Sequence, residues 1–132
     1  LAARSVYANL YPWGNADPDC TLANSLNNLN ATSCVGDTTM VGSYPLGGSD
    51  YGVMDMAGNV WEWVADFYSV DWYSLSPTEN PQGPESGSER VVRGGGWSGS
   101  WQYRRAASRA YDLPFYSGAD LGFRCAMDIP VN

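Results

Sequence analysis

Residues 53–71 of this chain read VMDMAGNVWEWVADFYSVD, and this stretch decides the fold. It is the densest apolar stretch of the sequence, and its aromatic residues are candidate core anchors: Trp61, Trp63, Phe67 and Tyr68. After Asn59 the spacing leaves room for only a short helical or irregular segment. The sequence therefore predicts a loop-rich domain that is held together by large aromatic side chains.

Residues 55–62, DMAGNVWE, supply oxygen ligands of the kind that calcium binds. Asp55 and Glu62 carry carboxylates, and a tight bend at Gly58 and Asn59 would turn backbone carbonyls inward. In the alternative interpretation, Asp55 caps the turn and Glu62 pairs with an arginine. The residues alone leave both interpretations open.

Short elements and long loops surround this stretch. Residues 40–47 predict a short extended piece that ends at Pro and Gly, and residues 90–97 predict a strand that meets a glycine turn. Residues 121–127 predict a closing strand, whereas periodicity does not decide between strand and short helix for residues 102–110. The pattern favours an α+β domain with little regular structure, small antiparallel sheets and long loops.

Composition places the chain among globular domains, with 44% hydrophobic and 16% charged residues in 132 positions. We expect one domain over residues 1–132. The net charge of −7 argues against a nucleic-acid partner, and we expect no membrane insertion because no apolar run is long enough. The chain begins at Leu1 and not at Met, so we expect it to be processed, partial or both.

All seven cations are arginines, and the chain has no His and no Lys. Eleven of the fourteen acidic residues lie at or before Glu89, whereas six of the arginines lie in the last third of the chain. Arginine suits planar, partly buried ion pairs, so this asymmetry predicts a structural network of arginines with upstream carboxylates. Anion binding by one or two of these arginines is the alternative.

Cys20 and Cys34 bracket a polar stretch, residues 21–33, that has little apolar content of its own. We expect a disulfide between them, which would stabilise a loop of this length by about 3 kcal/mol in the chain-entropy model. A zinc site is disfavoured, because there is no CxxC motif and no His. A disulfide would place the protein in an extracellular or periplasmic setting. Cys125 is expected to be a small buried residue, or one whose partner lies outside this sequence.

Five motifs follow one another in a specific order: YPWGN at 11–15, YGVMDMAGNVWEW at 51–63, RVVRGGGW at 90–97, Arg109, and LGFRC at 121–125. In this series the chain resembles the formylglycine-generating enzyme, or sulfatase-modifying factor, superfamily. The resemblance runs through nearly the whole chain. It implies a C-type-lectin-like fold, and it implies that the chain is the C-terminal portion of a domain that begins further upstream.

The resemblance also implies a calcium ion at the bend of residues 55–62. Carried over, its ligands are two side chains and two backbone carbonyls: Asp55 and Glu62, then Gly58 and Val60. The other calcium site of the family falls near Asn24 and Ser25. The sequence departs from the family pattern at residues 33–35, so that site is left open.

One departure from the family bears on activity. Family oxidases use a pair of cysteines that hold copper and exchange with a substrate thiol, chemistry that requires thiolates. The resemblance implies that these cysteines would fall near Trp101 and Ala106, neither of which is Cys, and no Cys lies between Cys34 and Cys125. We therefore expect a member that lacks the catalytic cysteines and binds no copper. The ergothioneine-synthase relatives use histidine-bound iron, which a chain without His cannot hold alone.

Residues 94–111 and the loop after them predict a binding face. A second branch with this fold, the variable proteins of diversity-generating retroelements, has hypervariable positions that match this region, Asp120 among them. Tyr, Ser, Gly and Asp are typical of adaptable recognition surfaces. The predicted ligand-binding residues are Trp97, Ser98, Ser100, Trp101, Tyr103, Arg104, Tyr111, Asp112, Phe115 and Tyr116. For Trp97 and Trp101 a role as core anchors is the alternative.

Together these features predict a non-catalytic, calcium-stabilised binding or assembly module that recognises a protein or glycan partner. Self-assembly within a larger secreted protein fits the same features. Two alternatives remain. One is part of an enzyme whose catalytic residues lie on further sequence, and the other is a retroelement-diversified variable protein.

Overall fold

The computed structural model of the protein describes residues 2–27, 32–79 and 81–126. Its regular structure is one four-stranded sheet with strands β1 (Trp61–Phe67), β2 (Arg90–Arg93), β3 (Ala110–Asp112) and β4 (Leu121–Gly122). The strand order is β3-β2-β1-β4. β2 runs antiparallel to β1 and β3, whereas β4 runs parallel to β1. The predicted α+β class with long loops is confirmed, in a sheet of mixed direction.

Helical structure in the described part of the chain is short. The α-helix α1 spans Trp72–Leu75, and 3-10 helices span Pro45–Gly47 and Trp101–Arg104. Residues 102–110 were left open between helix and strand, and both elements are present there in part. The 3-10 helix ends at Arg104, and β3 begins at Ala110.

The stretch after Asn59 was expected to be helical or irregular, and this prediction is wrong because β1 is the longest strand of the sheet. Trp63 lies opposite Val92, and Glu62 lies opposite Arg93. The register then shifts before Phe67, which is the signature of a bulge. A bulge disturbs the two-residue alternation of inward and outward side chains, so the periodicity of this strand was hidden.

Two further predictions need correction. Residues 40–47 were expected to be extended, but the segment turns and forms the 3-10 helix Pro45–Gly47. Gly47 is required there, since a side chain would collide with the backbone carbonyl of Leu22. The closing strand was expected over residues 121–127, but in the described part of this segment it forms over Leu121–Gly122 alone. Residues 123–126 have no regular structure.

Strand β2 forms where the sequence predicted it. Val91 and Val92 are β-branched residues and lie in the core, with 2% and 5% of their surface exposed. Gly94 and Gly95 follow with φ of 90° and 75°, a conformation that glycine adopts without strain. The strand therefore ends at the glycine turn, and the chain continues toward the segment that contains Trp97.

The bend of residues 55–62 contains a buried polar residue, Asn59, that hydrogen-bonds several other loops. The buried side chain of Asn59 accepts a hydrogen bond from the Thr39 N–H at 2.8 Å and donates one to the Thr39 carbonyl at 3.1 Å. Its backbone N–H donates to the Asn24 carbonyl, and its carbonyl accepts from the Trp97 N–H, both at 2.8 Å. One buried residue thus joins three loops that are distant in sequence.

The predicted disulfide is present. Cys20 and Cys34 are bonded, with 5.4 Å between their Cα atoms, and the bond closes the polar loop. The thiol of Cys125 is exposed in the structure, so the interpretation of this residue as a buried one is wrong.

The predicted network of arginines with carboxylates is not formed. Within the described residues one ion pair is present, between Arg124 and Glu62. Other arginines bind backbone carbonyls and aromatic faces, as Arg93 does with the carbonyls of Ala106 and Ser108. Long loops present many unpaired carbonyls, and these satisfy the guanidinium groups without carboxylates.

Candidate functional site

A cavity of about 320 Å³ lies against the four-stranded sheet. All four strands contribute to it, since Trp61 begins β1, Val92 lies in β2, Ala110 begins β3 and Leu121 begins β4. We call it the aromatic pocket, and define it by its complete lining: Trp61, Val92, Tyr103, Ala110, Tyr111, Asp112, Tyr116, Asp120 and Leu121. Its position on strands gives its walls a rigid support.

Four aromatic side chains form the walls of the aromatic pocket. The rings of Trp61 and Tyr103 lie 5.3 Å apart at an angle of 57°. Tyr103, Tyr111 and Tyr116 are each about half exposed, at 45%, 50% and 50%. Large amphipathic rings that are half exposed around a cavity provide contact area at a low cost in conformational entropy.

Two carboxylates lie among these rings. Asp112 Oδ1 accepts a hydrogen bond from the Leu113 N–H at 2.8 Å, and Asp120 Oδ2 accepts one from the Ser98 hydroxyl at 2.9 Å. A Cβ atom at Gly118 would lie 3.3 Å from the Tyr116 hydroxyl and 3.6 Å from Asp120 Oδ1. Gly118 therefore lies beside both Tyr116 and Asp120, which line the pocket.

Arg109 supports the pocket indirectly, through an aromatic ring that packs against Tyr111. Its guanidinium lies 4.1 Å from the centre of the Tyr73 ring and 5.2 Å from that of Tyr68, and it donates to the Ser69 carbonyl. Tyr68 in turn packs on Tyr111 with 4.3 Å between ring centres. Arg109 thus fixes the ring that holds Tyr111 in place.

Four of the ten predicted ligand-binding residues meet in the aromatic pocket: Tyr103, Tyr111, Asp112 and Tyr116. Asp120, which had been matched to a variable position, lies there as well. Sequence reasoning missed Trp61, which had been assigned to the core. Its place at the first residue of β1, within the 55–62 bend, is the signal that places it at the end of the strand and not in the middle of the sheet.

The other six predicted ligand-binding residues lie outside this lining. Ser98 holds Asp120, Ser100 bonds the Gln102 side chain, and Phe115 is 84% exposed. Trp97 is half-buried, and the ring of Trp101 lies 5.2 Å from the guanidinium of Arg105.

Arg104 is buried, with 1% of its surface exposed. It donates to the Gly99 carbonyl at 2.7 Å, and its Nε and Nη1 atoms have no hydrogen-bond partner among the described residues. Burial lowers the pKa of Arg104 to about 10, while the nearby Tyr11 acts in the opposite direction. The side chain is therefore buried and is not among the residues that line the aromatic pocket.

The four predicted calcium ligands lie around one cavity of about 240 Å³. Asp55, Gly58 and Asn59 have φ of 57°, 82° and 64°, so the chain bends sharply here as predicted. Asp55 Oδ2 accepts a hydrogen bond from the Gly42 N–H at 2.7 Å, so this carboxylate binds a separate loop and not its own turn.

Arg124 lies against the same cavity. It donates to both Glu62 oxygens, at 2.7 and 2.5 Å, and to the Asp55 carbonyl at 2.5 Å. The hydrogen bond to Glu62 raises the pKa of Arg124. The described residues contain no group of three or more His, Cys, Asp or Glu side chains that could hold a metal. The donor set still fits calcium, which takes carbonyl oxygens beside carboxylates, but Glu62 would be shared with Arg124.

A second oxygen-rich position lies at Asn24 and Ser25, which are 1% and 0% exposed. Asn24 Oδ1 is buried and has no hydrogen-bond partner among the described residues. A buried, unpaired oxygen is the kind of group that binds a cation or an ordered water.

Trp101 and Ala106, near which the family's cysteine pair was expected to fall, are not among the residues that line the aromatic pocket. Trp101 begins a 3-10 helix, and the Ala106 N–H bonds the Leu10 carbonyl at 2.8 Å. Across residues 2–27, 32–79 and 81–126, no helix is long and apolar enough to cross a membrane.

Comparison with known proteins gives a consistent result. The family model of the sulfatase-modifying factor enzyme 1-like domain matches residues 1–129. The chain is 39% identical over 130 residues to the serine/threonine-protein kinase pkn1 of Chlamydia pneumoniae, covering 97% of this chain and 19% of that protein. It is 38% identical over 127 residues to the formylglycine-generating enzyme of Mus musculus, covering 90% of this chain and 34% of that enzyme.

Among solved structures, variable protein 1 of Treponema denticola aligns with a TM-score of 0.69 and 28% identity. The alignment covers 92% of this chain and 42% of that one. The chain therefore spans less than half the length of each of these three relatives.

Proposed function

Because this chain belongs to the sulfatase-modifying factor enzyme 1-like domain family, we propose that it is a non-catalytic member that binds a partner through the aromatic pocket. The observation that carries the proposal is the convergence of Trp61, Tyr103, Tyr111 and Tyr116 with two carboxylates around one cavity. A concave, mostly apolar site with a few convergent polar groups is the usual form of a ligand site.

The chemistry of the lining supports binding over catalysis. The lining contains no thiol and no imidazole, and its potential acids and bases are Asp112, Asp120 and three tyrosines. Near Trp101 and Ala106, where the resemblance implies the family's copper-binding cysteines, the chain has no Cys. Oxidation of a substrate thiol through copper and a mixed disulfide requires thiolates, which these side chains do not supply.

We further propose that calcium stabilises the 55–62 bend, with Asp55, Gly58, Val60 and Glu62 as ligands. The shared cavity of these groups and the sharp backbone bend support this role. The Cys20–Cys34 disulfide supports an extracellular or periplasmic location, where such bonds persist.

The partner is a protein or a glycan, since half-exposed tyrosines with nearby carboxylates suit both. The similarity to Treponema denticola variable protein 1 favours the second candidate, a retroelement-diversified binding protein, because the pocket includes Tyr111, Asp112, Tyr116 and Asp120. The similarity to the mouse formylglycine-generating enzyme keeps the enzymatic alternative, in which further sequence supplies the catalytic groups.

The proposal is tested by screening the protein against arrays of peptides and glycans. We expect at least one array ligand whose binding is lost in Tyr111→Ala, because that ring forms a wall of the pocket. Tyr51→Ala is the matched control, since Tyr51 is 49% exposed, like Tyr111, but lies outside the lining. If Tyr111→Ala and Tyr51→Ala bind every array ligand as well as the unmodified protein does, the aromatic pocket is not the binding site.

A further inference from the structure

The geometry points to a specific ligand class for the aromatic pocket: we infer that it takes a cationic side chain, Lys or Arg, from a protein partner. The inference rests on the proposed binding function and adds the charge and source of the group that is bound. It follows from three properties of the lining, namely rings without a cation, carboxylates without a cation, and the size of the cavity.

Arginines of this chain already cover other aromatic rings. Within the described residues, Arg90 lies over Phe67, Arg105 over Trp101, and Arg109 over two tyrosines. None of the four rings of the aromatic pocket has such an arginine in the described parts of the chain. Ring faces attract cations, most strongly for Trp. Tyr111 packs on Tyr68, and Trp61 packs on Tyr103, so the ring faces left over are the ones that a cation could contact.

The two carboxylates of the pocket likewise form no ion pair with an arginine among the described residues. The one ion pair among the described residues joins Arg124 and Glu62, and neither Asp112 nor Asp120 takes part in it. Each uses one oxygen for a neutral donor, Leu113 N–H or the Ser98 hydroxyl, and the other oxygen makes no hydrogen bond to the described residues. Two carboxylates beside exposed rings form a negative pocket that a cation would neutralise.

Cavity size and net charge agree with this occupant. A volume of about 320 Å³ is at the small end of ligand pockets, which run from about 300 to 1,000 Å³. It suits one long side chain better than a branched oligosaccharide. The lining contains no cation, and the net charge of −7 steers a basic partner toward the surface.

The test is a titration of the protein with N-acetyl-lysine amide, N-acetyl-arginine amide and the neutral N-acetyl-norleucine amide. Binding is followed by the NMR signals of the Trp61 indole and the Tyr111 ring. We expect both cationic probes to shift these signals with a Kd at least tenfold lower than that of the norleucine probe. Tetramethylammonium tests a small free quaternary ammonium cation as the source, and methyl glucoside tests a sugar.

Asp112→Asn/Asp120→Asn should weaken the cationic probes at least tenfold and leave the norleucine probe unchanged. Asp17→Asn/Glu85→Gln is the matched control, since it removes the same charge from exposed positions outside the pocket and should change binding less than twofold.

Equal binding of the lysine and norleucine probes would overturn the inference, as would tighter binding of tetramethylammonium or methyl glucoside than of either side chain. In those cases, shifts of the Trp61 signal would still support the pocket as a binding site. If no probe shifts Trp61, the cation inference fails. The array screen with Tyr111→Ala then decides separately whether the proposed binding function fails as well.

Discussion

Gly58→Ala is the substitution that tests the structural centre of the fold. Gly58 has φ of 82°, and an added Cβ would lie 2.6 Å from the Asn24 carbonyl oxygen and 3.0 Å from the Ala23 Cβ. That carbonyl accepts the hydrogen bond from the Asn59 N–H. The substitution therefore strains the backbone and also displaces a partner of the buried Asn59.

The size of the effect follows from two contributions. Left-handed backbone costs a residue with a Cβ about 1–2 kcal/mol, and overpacking in a close-packed interior costs about 1–3 kcal/mol. Gly58→Ala should therefore lower the free energy of unfolding by about 2–5 kcal/mol. Gly52→Ala is the matched control, because Gly52 has φ of 73° and nothing within 4 Å of an added Cβ. It should lose only the backbone contribution.

The assay is urea denaturation followed by tryptophan fluorescence. The effect of alanine on the unfolded chain, about 0.4–1 kcal/mol, is the same for both variants and cancels in their difference. We expect Gly58→Ala to be less stable than Gly52→Ala by about 1–3 kcal/mol with an unchanged denaturant slope. Equal losses of stability would refute the close contact between the 55–62 bend and the Asn24 backbone.

Three further predictions concern the metal, the disulfide and pH. Adding calcium to chelator-treated protein should raise Tm, because a calcium concentration a hundred times Kd stabilises the folded state by about 2.7 kcal/mol. Glu62→Gln should abolish this increase in Tm. An unchanged Tm of the unmodified protein would contradict the metal proposal. Cys20→Ala/Cys34→Ala should lower the free energy of unfolding by about 3 kcal/mol in urea, and no loss would contradict a stabilising bond. The side-chain hydrogen bond from Thr21 lowers the pKa of Asp19 below 3.8, so its small contribution to stability is present above that pH and disappears as pH falls through the lowered pKa. Thr21→Val should return the NMR titration of Asp19 toward the ordinary value, and an unmoved titration would exclude this hydrogen bond as the cause.

Much of the fold was predictable because local chemistry agrees with tertiary structure. Val91 and Val92 form a strand and Gly94 ends it, as β-branched residues and positive φ require. Strand β1 was missed, since its bulge breaks the alternation that marks a strand. The partners of a strand also lie far away in sequence, and periodicity does not identify them.

The lining of the aromatic pocket was predicted in part for the same reason. Tyr111, Asp112 and Tyr116 lie close together in sequence, and residue type alone marks them as recognition residues. Trp61 comes from a distant segment and meets them only through the order of strands in the sheet. Arg104 was predicted at the surface, but its burial depends on the packing of three-dimensional neighbours such as Tyr11, which no local pattern encodes.

The most direct test of the central claim is turnover of a cysteine-bearing peptide by the purified protein in the presence of copper and oxygen. Mass spectrometry detects conversion of the cysteine to formylglycine, with the mouse formylglycine-generating enzyme as the positive control. We expect no conversion and no stoichiometric copper, because the chain has no Cys between Cys34 and Cys125 to supply the two thiolates. Conversion of the peptide by this protein alone would contradict this expectation.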